Sequence, residues 1–516
     1  SSGAVLDPVV AMRYRIVIEP NASATIDVIM GIADTKNHCN FLVDKYQDLQ
    51  LTNRVLELAW THSQVVLRQL NATEPDAQLY ARLAGSIIFA NDSLRADAAV
   101  IIKNQRGQSG LWGYSISGDL PIVLLQIEDS ANIVLVKQMI QAHNYWRMKG
   151  LIVDLVIWNE DNGGYRQALQ NEILSLLTSG RAADVKDQPG GIFIRSSDQV
   201  SNEDRILFQS VARVIISDRF GTLEEQIIRR NKIKTVIPYF SPTKFHASVF
   251  TSVAQPTGLQ FFNGLGGFSA NGKEYVITTT TAQTTPLPWS NVLANPKFGS
   301  LITESGQSYT WMDNAHEFRL TPWNNDPITD LQGEAFYLRD EESGRFWSPA
   351  PFPCRGASPY ITRHGFGYSI FEHSEDGIDS TMTVYADIKE PVKFIVVKLH
   401  NNSQRLRRLS ATGYVEWILG DLKAKTQMHI VTELDVQSGA ILAHNKYNTE
   451  FNNKVAFFDA GDANRTITTD RTEFIGRNGV LNNPDGMYRA RFSGRTGAAL
   501  DPCAVIQLVF DLAEGQ

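Results

Sequence analysis

The sequence predicts a multidomain α+β protein: a large antiparallel β-sandwich, a helical linker and a small α/β domain with a parallel sheet. Three observations carry this. Residues 110–235 alternate strand-like and helix-like patterns, as βαβ units do. From about Pro256 onward, short alternating apolar runs are separated by turn clusters and helical spacing almost vanishes. Between them in type, residues 38–100 repeat apolar side chains at helical spacing. A chain of 516 residues suits about three domains at roughly 100–200 residues each.

The composition bounds the function. With 43% hydrophobic and 20% charged residues the chain is neither disordered nor collagen-like. Its formal net charge of −7 gives no global footprint for nucleic acid or anionic lipid, so neither is expected as a partner. Cys39, Cys354 and Cys503 lie far apart, which is neither a disulfide framework nor a zinc cluster and suits a reducing, cytoplasmic setting. The longest apolar runs, Leu120–Ile127 and Leu151–Trp158, fall well short of the ~18 residues that span a membrane. Ser1–Asp7 carry no basic region or signal-peptide core.

Taken in order, residues 1–33 read as two strands, Val9–Ile18 and Ala24–Ala33, the end of a preceding sandwich-type domain. Residues 34–109 form the helical linker, broken at Asn71–Asp76 and followed by an amphipathic stretch from Ala77 to Phe89. The α/β domain spans 110–245. Its strands are Ile122–Ile127, Leu151–Trp158 and Ile192–Arg195; its helices are Ala131–Lys149, Tyr165–Leu177 and Glu203–Ile216. Leu151–Trp158 is apolar on both faces, as a central strand covered by helices must be. The sandwich domain spans 246–516, with strands that include Tyr275–Thr281, Thr381–Ile388, Val392–Leu399, Tyr414–Leu419 and His429–Leu434.

One repeat stands out. Gly3-Ala4-Val5-Leu6-Asp7-Pro8 matches Gly497-Ala498-Ala499-Leu500-Asp501-Pro502 at five of six positions, and an apolar run follows each copy. The repeat suggests a duplicated domain end in a chain cut from a longer polypeptide. It further raises the expectation that Thr25–Ala33 fills a vacant edge beside the last strand of the sandwich.

Gly267–Glu274 approaches a phosphate-binding loop but lacks the terminal Ser or Thr, and a strand follows where a helix N-terminus is needed; it reads as a hairpin turn. The densest functional stretch is Thr285–Asp330. It sets Trp289, Trp311 and Trp323 among Arg319, Asp326, His316 and several asparagines. Aromatic faces stack on sugar rings while polar side chains bond hydroxyls, so Trp289, Trp311, Arg319, Trp323 and Asp326 are the candidate carbohydrate-binding residues. The competing reading places the same tryptophans in a sandwich core. The pairs Glu372/Asp376 and Asp459/Asp462 could be posed as hydrolytic carboxylates, but their surroundings read as loops. His143 reads as a packed or surface residue of its helix rather than a ligand.

The runs Thr285–Gly299, Asn314–Asp326, Gly413–Gly420, Ala443–Asn448 and Gly497–Cys503 resemble the β-sandwich of the cellobiose and chitobiose phosphorylase family. Together with Leu111-Trp112-Gly113-Tyr114-Ser115-Ile116-Ser117-Gly118-Asp119-Leu120-Pro121, they more specifically resemble the phosphorylase-like part of cyclic β-1,2-glucan synthases. The resemblance implies a neighbouring catalytic (α/α)6 barrel as partner, a β-glucan oligosaccharide as ligand, and a place in the cytoplasmic part of a larger inner-membrane enzyme. It implies neither a cofactor nor a metal. No helical region of barrel size occurs in the chain, so the family's catalytic acid has no position to be carried onto, and a non-catalytic scaffold that contacts glycan is expected.

Two alternatives stand beside it. One is a freestanding glycoside hydrolase or phosphorylase acting on β-glucans through sandwich carboxylates. The other is a small phosphorylated ligand at the strand ends of the α/β domain, near Glu128–Asp129, Glu160–Gly164 or Ser196–Asp198.

Overall fold

The computed structural model describes residues 7–89, 92–161, 166–178, 185–228, 237–244, 252–331, 333–461 and 464–516. They gather into two compact units, 1–77 and 78–516.

In the first unit, helices α1 (Lys36–Tyr46) and α2 (Leu49–Gln69) start at conventional caps. Thr35 Oγ1 accepts from the His38 amide at 3.2 Å, and Asp48 Oδ1 accepts from the Gln50 amide at 2.9 Å. The expected strands are not formed here. Residues 7–33 carry no regular secondary structure on either side of a turn at Pro20-Asn21 and belong to no sheet. Their Val and Ile content favours extended backbone, but a strand exists only when a neighbour completes its ladder, and the described residues supply none. The apolar side chains are correspondingly bare, with Ile32 92% and Met30 100% exposed.

The second unit opens with α3 (Glu74–Ile88, whose first turn lies across the division) and the short α4 (Ala98–Ile101). A βαβ series follows: β1 (Ile122–Ile127), α5 (Ile133–Met148), β2 (Asp154–Asn159), α6 (Arg166–Thr178), β3 (Ile192–Ser196), α7 (Asn202–Val211), β4 (Val214–Ser217) and α8 (Leu223–Ile228). All pairings are parallel, in the order β3-β2-β1-β4. The expected strand Leu151–Trp158 is the interior β2, with every residue of Asp154–Asn159 buried. The expected helix Glu203–Ile216 is shorter than its apolar pattern suggested. It stops at Val211, and the continuing run Val214–Ser217 is a fourth strand. His143 is fully buried and its Nε2 bonds the Val153 carbonyl at 3.1 Å, so it is a packed residue.

The remainder is antiparallel. In chain order the strands are β5 (Gly266–Phe268), β6 (Glu274–Thr279), β7 (Ser290–Ala294), β8 (Phe298–Thr303), β9 (Ser308–Met312), β10 (Glu334–Asp340), β11 (Phe346–Trp347), β12 (Tyr360–Gly365), β13 (Tyr368–Glu375), β14 (Ile378–Ala386), β15 (Lys393–Asn401) and β16 (Arg407–Glu416). After the one-turn helix α9 (Lys423–Thr426) come β17 (Ile430–Leu434), β18 (Ile441–Asn445), β19 (Val455–Phe458), β20 (Arg465–Asp470) and β21 (Pro502–Leu512). Two large sheets, β15-β14-β13-β12-β6-β5 and β11-β10-β16-β21-β20, are accompanied by the small sheets β7-β8-β9 and β17-β18-β19. The Gly267–Glu274 segment is the β5–β6 hairpin, with Gly272 at φ +69° in the left-handed region that favours glycine. Strand β21 is paired on both sides, by β16 and β20, so the edge that Thr25–Ala33 was expected to fill is occupied.

Charged side chains tie the sheets together. Glu334 on β10 and Lys393 on β15 form a buried ion pair, with side-chain exposures of 3% and 8%. Lys393 Nζ also donates to Thr310 Oγ1 at 2.7 Å and Ser308 Oγ at 3.0 Å. Glu334 accepts from Thr310 Oγ1 at 2.7 Å and Thr321 Oγ1 at 2.8 Å. Its carboxyl stays below the usual range because Lys393 and these hydroxyls outweigh burial. Elsewhere Arg407 Nη2 spans Asp340 at 2.7 Å and Asp376 at 3.1 Å, all three buried.

The parallel layer is fastened to the antiparallel one. Arg95 Nη2 donates to Ser210 O at 2.8 Å on α7 and to Met428 O at 2.9 Å just after α9. The Gln108 amide donates to Tyr447 O at 3.1 Å, and Tyr447 Oη donates to Gly118 O at 3.1 Å. Leu111 and Ile116, from the family-like run, enter the same core as Val156, Phe193 and Phe208.

Because Val156 is fully buried in the interior strand, Val156→Asp places an unpaired charge in the sheet core. The expected result is a loss of several kcal/mol, read as a lower denaturation midpoint. An unchanged midpoint would show that β2 is not the strand that holds this layer.

Candidate functional site

The aromatic cluster is built on the β8–β9 hairpin. Gly299 pairs with Trp311, and a Cβ at Gly299 would stand 2.2 Å from Trp311 Cζ2, so the indole lies against bare backbone. Tyr309, two residues earlier on the same face of β9, is only 8% exposed. Its ring centroid lies 5.1 Å from Trp311 and 4.7 Å from Trp323. Burial pushes the Tyr309 hydroxyl pKa up. Arg319 bridges backbone to Trp311, and its Nε donates to Ala315 O at 3.2 Å and its Nη1 to Asp421 O at 3.4 Å.

Three of the five candidate residues, Trp311, Arg319 and Trp323, are therefore gathered around Tyr309. Both indoles are half-buried, so each presents one partial face rather than an open platform. The other two do different work. Trp289 is half-buried and packs edge-on against Tyr275 at 5.9 Å. Its carbonyl accepts from His364 Nε2 at 3.0 Å. Asp326 closes a turn by accepting from the amides of Ile328 at 3.0 Å and Thr329 at 3.1 Å and from the Thr329 hydroxyl, which together hold its carboxyl below the usual range. Tyr309 is the member the sequence reading passed over. Its signal was the i, i+2 spacing from Trp311 on a strand.

Behind the hairpin, Glu304 and Asp330 border a 130 Å³ pocket with Arg355. Burial raises both carboxyl pKa values and lowers that of the guanidinium. The Trp289 amide donates to Glu304 at 2.7 Å, and Arg355 Nη2 donates to Thr279 at 2.8 Å.

A larger cleft of 390 Å³ opens where the parallel layer meets the sandwich. The runs Leu111–Pro121 and Ala443–Asn448 meet at this seam, through Gly118 and Tyr447. Gly118 has φ +80°, and a Cβ there would come within 2.4 Å of the Tyr447 hydroxyl. The His429 ring stacks on Tyr447 at 4.0 Å. Burial, with Arg95 and Arg213 nearby, depresses His429 to about 3, so the imidazole is neutral. Lys425 pairs with Asp421 at 2.6 Å on the rim, and Glu317 and Asp119 also raise its pKa.

The alternative catalytic carboxylates are occupied. Glu372 pairs with Arg363 at 2.8 Å, Asp376 with Arg345 at 2.6 Å and with Arg407, and Asp459 with Arg465. Asp462 lies outside the described residues. At the strand ends of the parallel sheet, the amides of Glu128 and Asp129 each donate to Asp218 Oδ2 at 2.9 Å. A carboxylate of the chain thus sits where a phosphate would. Arg219 is taken by Glu128 at 2.8 Å and Glu160 at 3.2 Å, and Ser196 Oγ donates to Asp198 at 2.6 Å. Of the expected Glu160–Gly164 stretch, residues 162–164 lie outside the described set.

The family model described as glycosyl hydrolase 94, supersandwich domain, matches residues 1–49 and 273–516, and the chain belongs to that family. Over 98% of its length the chain is 31% identical to the cyclic beta-(1,2)-glucan synthase NdvB of Rhizobium meliloti (strain 1021), of which it spans 18%. It is 28% identical to the N,N'-diacetylchitobiose phosphorylase of Vibrio furnissii over 49% of the chain and 32% of that protein. It is likewise 28% identical to the solabiose phosphorylase of Paenibacillus borealis over 49% of the chain and 33% of that protein. The resemblance read from the motifs is borne out. Among the described residues no helix is long and apolar enough to cross a membrane.

His364, at the Trp289 carbonyl, is depressed to about 4 by burial, and His143 also to about 4. In the unfolded chain each titrates near ~6.5. Between those values the unfolded state binds more protons, so stability rises with pH there and is lost on acidification. Thermal stability should be flat above neutrality and fall steeply from about pH 6.5 toward 4. His364→Gln should make that fall shallower; an identical pH profile would remove His364 from the account.

Proposed function

We propose that this chain is a non-catalytic scaffold and glycan-contacting region of a cyclic β-1,2-glucan synthase-like enzyme. The observation that carries this reading is similarity along nearly the whole chain to one segment of such a synthase. In this reading the sandwich positions a neighbouring catalytic (α/α)6 barrel and shapes the approach of a β-glucan oligosaccharide, in the cytoplasmic part of a larger inner-membrane enzyme. Two features support it: among the described residues α1–α4 precede β1 and the later helices alternate with strands, and Glu372 and Asp376 are held by arginines.

Glycan contact is assigned to Trp311, Arg319 and Trp323 around Tyr309, with Trp289 and Asp326 supporting adjoining loops. We also read the chain as four parts: 1–33, 34–109, 110–245 and 246–516. The first is the end of a second sandwich-type domain. Its Pro8–Ile18 is the counterpart of β21 through the repeated Gly-Ala-x-Leu-Asp-Pro run, and the family model covers residues 1–49 as well.

The isolated chain should show neither phosphorolysis nor hydrolysis of β-linked glucans. Turnover of β-1,2-glucan that disappears on substituting a carboxylate in residues 256–516 would overturn the assignment. Partial aromatic faces desolvate little, so affinity at the cluster should be modest. Calorimetric titration of a β-1,2-glucan oligomer should show weaker binding for Trp323→Ala than for the unaltered chain. Equal binding would return Trp323 to a purely packing role.

A further inference from the structure

We propose that the 390 Å³ cleft between the parallel layer and the sandwich is a second binding site, one that takes a short neutral oligosaccharide with His429 and Tyr447 as its floor. It is separate from the Trp311–Trp323 cluster, and it shares with the reading above only the expectation that the ligand is a glucan.

The location is the first argument. The volume lies within the roughly 300–1,000 Å³ of small-molecule sites, and such sites favour junctions between folding units. One wall is the 118–122 segment leading into β1; the other is built from α9 and the β18–β19 connection. The seam beneath is rigid rather than a loose gap. Tyr447 is hydrogen-bonded to Gly118, Gln108 is bonded to Tyr447, and Phe451 stacks on Phe318 at 4.5 Å. The walls are thus set before a ligand arrives, which lowers the ordering cost of binding.

The lining chemistry is the second argument. His429 is a neutral imidazole with one donor and one acceptor nitrogen, and among the described residues neither has a hydrogen-bond partner. A sugar hydroxyl both donates and accepts, so it can satisfy either nitrogen. Four carboxylates line the cleft, Asp119, Glu317, Asp421 and Glu450, against two cations, Lys425 and Arg213. That excess of negative charge disfavours phosphate and other anions but suits vicinal hydroxyls, which donate to carboxylates. An apolar ligand would leave the His429 nitrogens and the rim carboxylates desolvated and unpaired, at a cost in free energy. A neutral polyol is the class that meets all of these groups.

The experiment uses the full chain and linear β-1,2-linked glucotriose as probe, with binding read by calorimetry and by hydrogen exchange. His429→Phe keeps the stack on Tyr447 and removes the ring nitrogens; Asp421→Asn and Glu317→Gln alter only rim side chains and leave the core untouched. We expect His429→Phe to weaken binding at least tenfold and each rim variant to weaken it several-fold. Exchange in segments 118–122 and 445–451 should slow on binding. Trp323→Ala should leave this event in place, so the aromatic cluster can fail as a site without affecting the cleft. Inorganic phosphate should not bind. The proposal is overturned if the trisaccharide does not bind at millimolar concentration, if binding is abolished by Trp323→Ala yet unchanged by the rim variants, or if phosphate protects the same segments. Should His429→Phe fail to fold, the two rim variants decide the matter.

Discussion

The pair Glu334–Lys393 is the constraint on which the sandwich depends. One partner stands on each large sheet, and the hydroxyls that satisfy them come from the β8–β9 hairpin and from Thr321. Two charges taken out of water are tolerable only when attraction and hydrogen bonds offset their desolvation, and here nearly every neighbour is a hydroxyl aimed at one of them. Removing either partner would strand the other, a loss of about 3–5 kcal/mol in comparable buried pairs. The small sheet bearing Trp311 and Tyr309 is thus located by electrostatics as much as by apolar packing. The aromatic cluster inherits its position from an ion pair set between the two large sheets.

The seam between the layers follows a different logic. It uses neutral backbone carbonyls as acceptors, for Arg95 at one end and for Gln108 and Tyr447 at the other. Burial lowers Arg95 to about 10, which leaves it charged at neutral pH while it donates to the Ser210 and Met428 carbonyls. Bonds from a guanidinium to carbonyl oxygens are directional. They fix orientation between two layers whose apolar cores are otherwise separate clusters.

The parallel sheet was legible because its strands are continuous apolar runs ended by turn residues, and Leu151–Trp158 announces burial on both faces. Strand β4 was not, since Val214–Ile216 extends the apolar pattern of α7 and periodicity alone cannot separate a buried strand from a buried helix end. Val9–Ile18 shows the converse limit: composition reports a preference for extended backbone, and pairing is decided by residues elsewhere. The tryptophans of the site were visible as residue types. Tyr309 was obscured by its own burial, and the cleft could not be read at all. Its walls come from residues near 119, 317, 425 and 447, which only the tertiary structure brings to one place.

The contact between Gly299 and the Trp311 indole has an evolutionary corollary. The ring occupies the volume that any side chain at 299 would need, so the two positions divide a fixed space between them. Among descendants of a common ancestor they should drift as a unit. A lineage that acquires Ala or Ser at 299 must shrink or turn the residue at 311, and one that keeps the indole inherits the glycine with it. The pair is then a heritable marker: its presence in a relative implies the aromatic cluster, and its joint loss marks a hairpin that no longer carries one.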